Sequence, residues 1–324
     1  MKIIHWAMIG TGDVTEKKSG PGFYKAKNSV LYGVTNRTLA KAEDYAKRHH
    51  VKKVFASVDD LLADPKVDAV YIATPPGSHK EYALRCAAAG KVCYIEKPIA
   101  LTYDEALDIS DAFKKANVKA FVAYYRRTLP RFTEVKSLLE SGAIGDVRFV
   151  NVAYYRPAAK AEINGTHWHV QPEISGGGIF MDMAVHTLDI LDFFFGAIEK
   201  VAAFSVNQAG YYEPEDNVAL SFAFGNRIIG TGNWCFTTHT AADNIQIVGS
   251  KGEINFGCFT NDPIQLKTAE QETAIPVGTI EHVHQNLIQT IVDELNGQGT
   301  CPSTIESALR TAWVCEQVYQ QQDD

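Results

Sequence analysis

The stretch Ile3-Ile4-His5-Trp6-Ala7-Met8-Ile9-Gly10-Thr11-Gly12-Asp13-Val14-Thr15 decides how the rest of the chain is read. Its apolar run is too short for a signal-peptide core, has no small-residue cleavage site, and leads straight into glycines. It therefore reads as a strand closed by a tight turn. In a strand–turn–helix of this kind the first glycine makes the turn. The second lets backbone N–H groups approach a pyrophosphate at a helix N-terminus. Thr15 stands where the dinucleotide fingerprint has its third glycine, so strand and helix should sit slightly further apart. Gly10, Thr11, Gly12, Asp13 and Val14 are the expected cofactor-facing residues.

A lone G-x-G is weak, and the sequence that follows strengthens it. Strands are expected at Ile3–Ile9, Val30–Thr35, Lys53–Phe55, Asp68–Ala73, Val92–Ile95 and Lys119–Ala123. Helical patterns lie between them at Leu39–His49, Val58–Ala63, His79–Ala89 and Tyr103–Ala116. Such alternation implies a parallel sheet with helices on both faces. Ser19-Gly20-Pro21-Gly22 should break the first helix into two short pieces.

After Ala123 the rhythm changes. Helices are expected at Pro130–Ser141 and Ile179–Phe195. Strands follow at Asp146–Arg156, Lys200–Val206, Val218–Phe224, Ile228–Phe236, Asn244–Val248, Glu253–Phe256 and Ile264–Lys267. Glu281–Asn296 and Ile305–Gln320 close the chain as helices. The expected architecture is a Rossmann-like, doubly wound α/β domain over residues 1–123. An α+β domain with a large, mostly antiparallel sheet follows over 124–324.

Composition agrees with two ordinary globular domains: 324 residues, 46% hydrophobic and 21% charged. A net charge of −7 and a pI near 5.8 argue against a nucleic-acid or anionic-membrane surface. The cysteines show neither C-x-x-C nor zinc spacing, which suits reduced thiols in the cytoplasm. No apolar run is long enough to span a membrane.

The second strand should end on the residue that reads the adenosine ribose. A carboxylate there would repel a 2′-phosphate. This chain has Asn36-Arg37-Thr38 instead, with a guanidinium able to face a phosphate, so NADP is favoured over NAD. Glu96-Lys97-Pro98 lies at the carboxyl end of a strand, where ligands bind in open parallel sheets. The helix opened by Gly176-Gly177-Gly178 is apolar on nearly every side. Asp182, His186 and Asp189 nevertheless fall on one stripe. Buried carboxylates need partners, so the stripe faces either a structural polar network or a ligand. The glycines favour close approach of something large, such as a nicotinamide ring or a sugar.

Gly10-x-Gly12, Glu96-Lys97-Pro98 and Gly177-Gly178-x-x-x-Asp182-x-x-x-His186-x-x-Asp189, in this order and spacing, resemble the glucose–fructose oxidoreductase / inositol dehydrogenase (Gfo/Idh/MocA) family. The resemblance covers essentially the whole chain, with Thr74-Pro75, His79 and Tyr125-Arg126 as supporting matches. It implies that Lys97 lies beside the nicotinamide and the reacting oxygen, with a cis peptide before Pro98. It also implies that His186 is the general acid/base and Asp182 its catalytic neighbour. Thr74, Pro75, His79, Glu96, Lys97 and Trp168 would join the cofactor site. Lys97, Tyr125, Arg126, His169, Asp182 and His186 would face the substrate. Two departures stand out: His169 where members often have arginine, and Gly77 where many have asparagine.

The expected activity is transfer of hydride between a nicotinamide cofactor and a sugar, polyol or related carbonyl compound. Two alternatives are a glycosidase using NAD for transient oxidation and elimination, and a non-catalytic cofactor-sensing regulator. A metal at His167-x-His169 is set aside, because its third ligand would be His186 or Asp182. The expected partners are a small-molecule substrate and copies of the chain itself in a homodimer or homotetramer.

Overall fold

The computed structural model describes residues 1–320. Two compact units emerge: Met1–Thr128 with Ile280–Leu309, and Leu129–Thr279 with the chain from Arg310 onward. The first unit starts with β1 (Ile4–Ile9), α1 (Asp13–Lys17), α2 (Gly20–Lys25), β2 (Ser29–Thr35), α3 (Leu39–Arg48), β3 (Lys53–Val54) and α4 (Val58–Ala63). It continues with β4 (Ala69–Ile72), α5 (His79–Ala88), β5 (Val92–Ile95), α6 (Tyr103–Ala116) and β6 (Ala120–Val122). The strands pair in the order β3-β2-β1-β4-β5-β6, every pair parallel. All of β4 is buried, as a strand covered on both faces requires. The expected break in the first helix falls between α1 and α2, with Pro21 in the first turn of α2, where its missing N–H costs nothing.

In the second unit come α7 (Pro130–Glu140), β7 (Val147–Tyr155), α8 (Lys160–Ile163), α9 (Pro172–Ser175) and α10 (Ile179–Phe195). After them run β8 (Ile198–Val206), β9 (Asn217–Phe224), β10 (Ile229–Cys235), β11 (Ala242–Gly249), β12 (Gly252–Phe256), β13 (Ile264–Thr268) and β14 (Glu272–Ile275). These form one eight-stranded sheet, β14-β13-β12-β11-β7-β10-β9-β8, antiparallel except for β10 beside β7. In β9, Val218, Leu220, Phe222 and Phe224 are buried while Ala219 and Ser221 are exposed, the alternation of a sheet covered on one face. Short α8 and α9, and β14 with its exposed alternation, carry no apolar pattern that the sequence reading could use.

The last helices are α11 (Gln285–Leu295) and α12 (Ile305–Gln320). The return from Ile280 to Leu309 belongs with the first unit, whereas the sequence reading assigns everything after residue 123 to the second. Physical contacts explain this. A Cβ on Gly22 would come within 2.8 Å of Ile288 Cδ1, so the missing side chain lets α2 and α11 approach. Ser303 Oγ donates to Val122 O at 2.7 Å on the edge strand β6. The second unit resumes within α12, where Arg310 makes a two-pronged ion pair with Asp192 of α10, 2.6 and 2.8 Å. No described helix is long and apolar enough to cross a membrane.

Candidate active site

The glycine turn separates two requirements. Gly10 has φ +96°, and a Cβ there would stand 2.9 Å from Ala73 O, so the turn itself demands glycine. Gly12 precedes α1, and a Cβ there would meet nothing within 4 Å. That open side is where a ligand pyrophosphate can approach backbone N–H groups, so the turn fits a dinucleotide. Thr11 is buried, and Asp13 and Val14 start α1. Thr15 is also buried, its hydroxyl donating to Gly12 O at 2.7 Å.

Asn36 closes the end of β2 against this turn. Its amide donates to Thr11 Oγ1 at 2.8 Å, and its carbonyl accepts the Thr38 N–H at 2.9 Å. Arg37 is exposed and makes no hydrogen bond or ion pair with the described residues. At the end of β4, Thr74 Oγ1 accepts from Ser78 Oγ, and Pro75 precedes a single 3-10 turn. His79 is fully buried, with one ring nitrogen 2.8 Å from Pro98 O and the other 2.8 Å from Thr74 O. It clasps two loops and presents no exposed ring to a ligand. Burial lowers its pKa despite those carbonyls.

The Lys97–Pro98 peptide is cis. Glu96 beside it is buried, accepting from Tyr71 Oη and from Lys97 N at 3.2 Å. Burial raises its pKa, while Tyr71, Lys97 and Lys18 oppose the rise. Tyr125 and Arg126 are buried in a 3-10 turn after β6, where the guanidinium donates to the Tyr125 hydroxyl at 2.8 Å.

In the second unit, α10 carries the polar stripe. His186 and Asp189 are buried, and Asp182 is 14% exposed at its side chain. His169 Nε2 lies 3.6 Å from Asp182 Oδ2, and its ring touches that of Trp168, which is 37% exposed. The His186 ring meets Phe259 edge-on with centroids 6.0 Å apart. The loop holding Phe259 is pinned by Asp243, whose carboxylate accepts the N–H groups of Cys258, Phe259 and Thr260. An acid and a buried histidine one turn apart on α10 thus stand with an imidazole from the Trp168–Val170 turn beside the acid. Groups arranged so can hold and move a proton. No cluster of three or more metal-ligating side chains occurs among the described residues.

The three glycines before α10 have a different use from the one the sequence suggested. A Cβ on Gly177 would collide with Tyr319 Oη, and one on Gly178 would come within 2.8 Å of Glu215 Oε1 and Pro214. Tyr319, Pro214 and Glu215 stand where side chains at Gly177 and Gly178 would go, at the wall of a cavity that Gly176 and Gly177 also line, and Gly176 turns the chain at φ +82°. Glu215 accepts from Gly178 N at 3.3 Å, and burial pushes its pKa up to about 7.

Sequence reasoning missed Glu215, Tyr319, Phe259 and His284. All lie far along the chain from the groups they touch, in segments with no motif. Lys97, Glu96, Tyr125 and Arg126 fall in the first unit, and His169, Asp182 and His186 in the second.

Comparison with known proteins fits this architecture. Residues 4–124 match the model of the oxidoreductase family with an NAD-binding Rossmann fold, and residues 132–255 match the Gfo/Idh/MocA C-terminal domain. An oxidoreductase of Formosa agariphila is 37% identical over 320 residues, 97% of each chain. The 1,5-anhydro-D-fructose reductase of Ensifer adhaerens is 25% identical over 313 residues, 94% of this chain and 92% of its own. A levoglucosan dehydrogenase, solved with NADH and levoglucosan, shares the fold with a TM-score of 0.85 at 22% identity, covering 99% of this chain and 97% of that one. With its glycine turn, its Lys97–Pro98 strand end and its Asp182–His186 helix, this chain is a member of the Gfo/Idh/MocA family, an NAD(P)-binding oxidoreductase.

Proposed function

We propose that the protein is a dehydrogenase or reductase acting on a sugar, polyol or related carbonyl compound, with Lys97, Asp182 and His186 as its catalytic residues. The observation that carries the reading is the buried His186 one turn along α10 from Asp182, whose carboxylate faces His169. The levoglucosan and anhydrofructose enzymes among its relatives support a sugar-like substrate. When bound, the nicotinamide accepts or supplies the hydride. As a carbinol carbon gives up its hydride, His186 takes the hydroxyl proton, and in reduction it returns one to the carbonyl oxygen. The Lys97 ammonium stabilises negative charge on that oxygen. Asp182 and His169 keep a compensating charge near His186, and Tyr125 and Arg126 face polar groups of the substrate. Gly10 to Val14, Asn36 to Thr38, Thr74, Pro75, Glu96, Lys97 and Trp168 serve the cofactor, with His79 acting from behind as a clasp.

NADP is the proposed cofactor, because Arg37 is exposed and uncommitted while Asn36 is neutral and tied to Thr11. The chain is also proposed to work as a homo-oligomer in the cytoplasm. The outer face of the second sheet exposes Phe204 at 82% and Ile229 at 60%, large side chains that a second copy would cover. A spectrophotometric screen of aldoses, polyols, anhydro sugars and their keto forms, with NAD and NADP in both redox states, tests the activity. No cofactor-dependent absorbance change with any of them, from protein shown to bind dinucleotide, would sink it.

A further inference from the structure

Behind Lys97, Glu96 meets a buried polar cluster of Tyr71, Tyr94 and His284, three residues to which the reaction as proposed gives no task. Glu96 accepts from Tyr71 Oη on one oxygen and from Lys97 N on the other. His284 Nε2 faces the first of these oxygens at 3.7 Å, and this buried nitrogen has no hydrogen-bond partner among the described residues. On the other side of the ring, Nδ1 is 2.9 Å from Tyr94 Oη.

That contact fixes the tautomer. The Tyr94 hydroxyl is buried with no other hydrogen-bond partner among the described residues, and a buried phenol needs an acceptor for its proton. It donates to Nδ1, which leaves the ring proton on Nε2, aimed at the Glu96 carboxylate. The imidazole stays neutral, its pKa driven down to about 3 by burial and by the nearby charges of Lys18, Arg126 and Lys97. Tyr125 lies against the ring with centroids 4.5 Å apart, which holds its plane. The backbone of His284 is docked separately: its N–H donates to Lys18 O at 3.2 Å, at the end of α1. The same segment is held by His282 Nδ1, 2.8 Å from Lys17 O. One residue therefore joins the helix that follows the glycine turn to the carboxylate beside Lys97.

We propose that His284 is a positioning residue, whose Nε2–H turns its positive end on the Glu96 carboxylate from 3.7 Å and favours its charged form, so that Glu96 in turn braces the backbone of Lys97 and balances its charge. This rests on Lys97 being catalytic as proposed above. The logic is that of an outer partner that orients a working group and sets its ionisation. Glu96 is buried, and burial favours its neutral form. Tyr71, the Lys97 charge, the Lys97 N–H and the Lys18 charge favour the carboxylate, and the His284 N–H dipole facing it at 3.7 Å acts in the same direction. Loss of one donor moves the balance toward protonation, so Glu96 should then titrate at higher pH.

Two near-isosteric substitutions separate the ring nitrogens. In His284→Gln the amide NH2 can stand where Nε2–H stood, whereas in His284→Asn the shorter amide reaches only toward Tyr94. Glu96 is titrated in the intact protein by its infrared carboxyl band, identified as the band absent from Glu96→Gln, a readout that needs no substrate. Expected in His284→Asn is a rise of the Glu96 midpoint by about one pH unit. The acid limb of kcat should move up with it, and kcat near neutrality should fall on the order of 10-fold. NADPH affinity by fluorescence should hold, and His284→Gln should lie close to wild type in every measurement. If the two variants behave alike, or the Glu96 midpoint stays put in His284→Asn, the proposal is overturned. Should His284→Asn fail to fold, Tyr94→Phe releases the tautomer with little change of shape. It should raise the midpoint by a smaller amount, and no rise would overturn the proposal equally. Lys97→Met, assayed alongside, separates the two readings: full activity in that variant sinks the assignment of Lys97 itself. Loss of activity there, with His284→Asn and His284→Gln indistinguishable, sinks only the role of His284.

Discussion

Tyr319 donates its phenolic proton to Glu215 at 2.9 Å across 104 residues of sequence, and the pair occupies the space that Gly177 and Gly178 leave open before α10. The carboxyl titrates near 7 in the folded protein against an ordinary 4.5, so the folded state holds this proton more tightly than the unfolded one. The resulting stability is complete below about pH 4.5 and is lost as pH rises through about 7. The full effect is roughly 3 kcal/mol. Urea unfolding at pH 5 and pH 8 should show this loss in wild type, and Glu215→Gln should flatten it. Equal pH slopes in the two proteins would place the titrating group elsewhere.

How far the sequence could be read depended on the range of each interaction. The strands from Ile4 to Val122 and the stripe of Asp182, His186 and Asp189 repeat within a few residues, so periodicity reveals them. The glycines before α10 announce only that side chains are unwelcome there. What fills the space, Tyr319 and Glu215, comes from distant segments that no local pattern connects. The same holds for Asp192, satisfied by Arg310, and for Glu96, faced by His284. His79 was legible as a residue near the cofactor loops, yet only its two carbonyl contacts reveal that it ties Thr74 to Pro98.

The glycine turn gives a paired prediction. Gly10→Ala places a Cβ 2.9 Å from Ala73 O at a positive φ, so it should lower stability by about 1–3 kcal/mol. Gly12→Ala meets nothing in the protein itself, so its melting temperature should stay within a few degrees of wild type while dinucleotide affinity falls. Calorimetry and fluorescence titration on both variants decide the matter. Unchanged affinity in Gly12→Ala would mean that this side of the turn does not receive the pyrophosphate.

NADPH is expected to bind more tightly than NADH. Arg37→Ala should remove most of the difference, about 1.5–3 kcal/mol for a hydrogen bond to a charged group. The variant should leave NADH affinity nearly unchanged, because Arg37 makes no hydrogen bond or ion pair within the described structure. Equal affinities in wild type would turn the preference to NAD.

Light scattering at micromolar concentration should report a homo-oligomer. Phe204 stands opposite Ala219 in the outer face, and Ile229 opposite Phe149 in a different row of the same face, so a charge at Phe204 would sit on the surface that a second copy would cover. Phe204→Glu should shift the protein toward monomer while leaving dinucleotide binding intact. A monomeric wild type would remove the second copy from the proposal.

The division of labour between Lys97 and His186 can be read from kinetics. The two residues belong to different units, Lys97 at the end of β5 in the unit that carries the glycine turn, His186 on α10 in the other. His186→Ala should therefore leave dinucleotide affinity nearly unchanged. It should lower kcat by about 10²–10⁴-fold, the usual worth of general acid–base catalysis. Lys97→Ala should slow turnover and weaken nicotinamide binding together, because Lys97 lies at the end of β5 in the unit that carries the glycine turn. The kcat of wild type should follow a group titrating near neutrality, an inflection that disappears in His186→Ala. Asp182→Asn gives the third arm: removing the carboxylate near His169 takes a negative charge from the turn of α10 that precedes His186. A positive imidazolium is then less favoured, so the inflection should move to lower pH. If His186→Ala keeps the inflection and most of the rate, the histidine is a core group packed on Phe259. The Asp182–His186–Asp189 stripe is then a structural network.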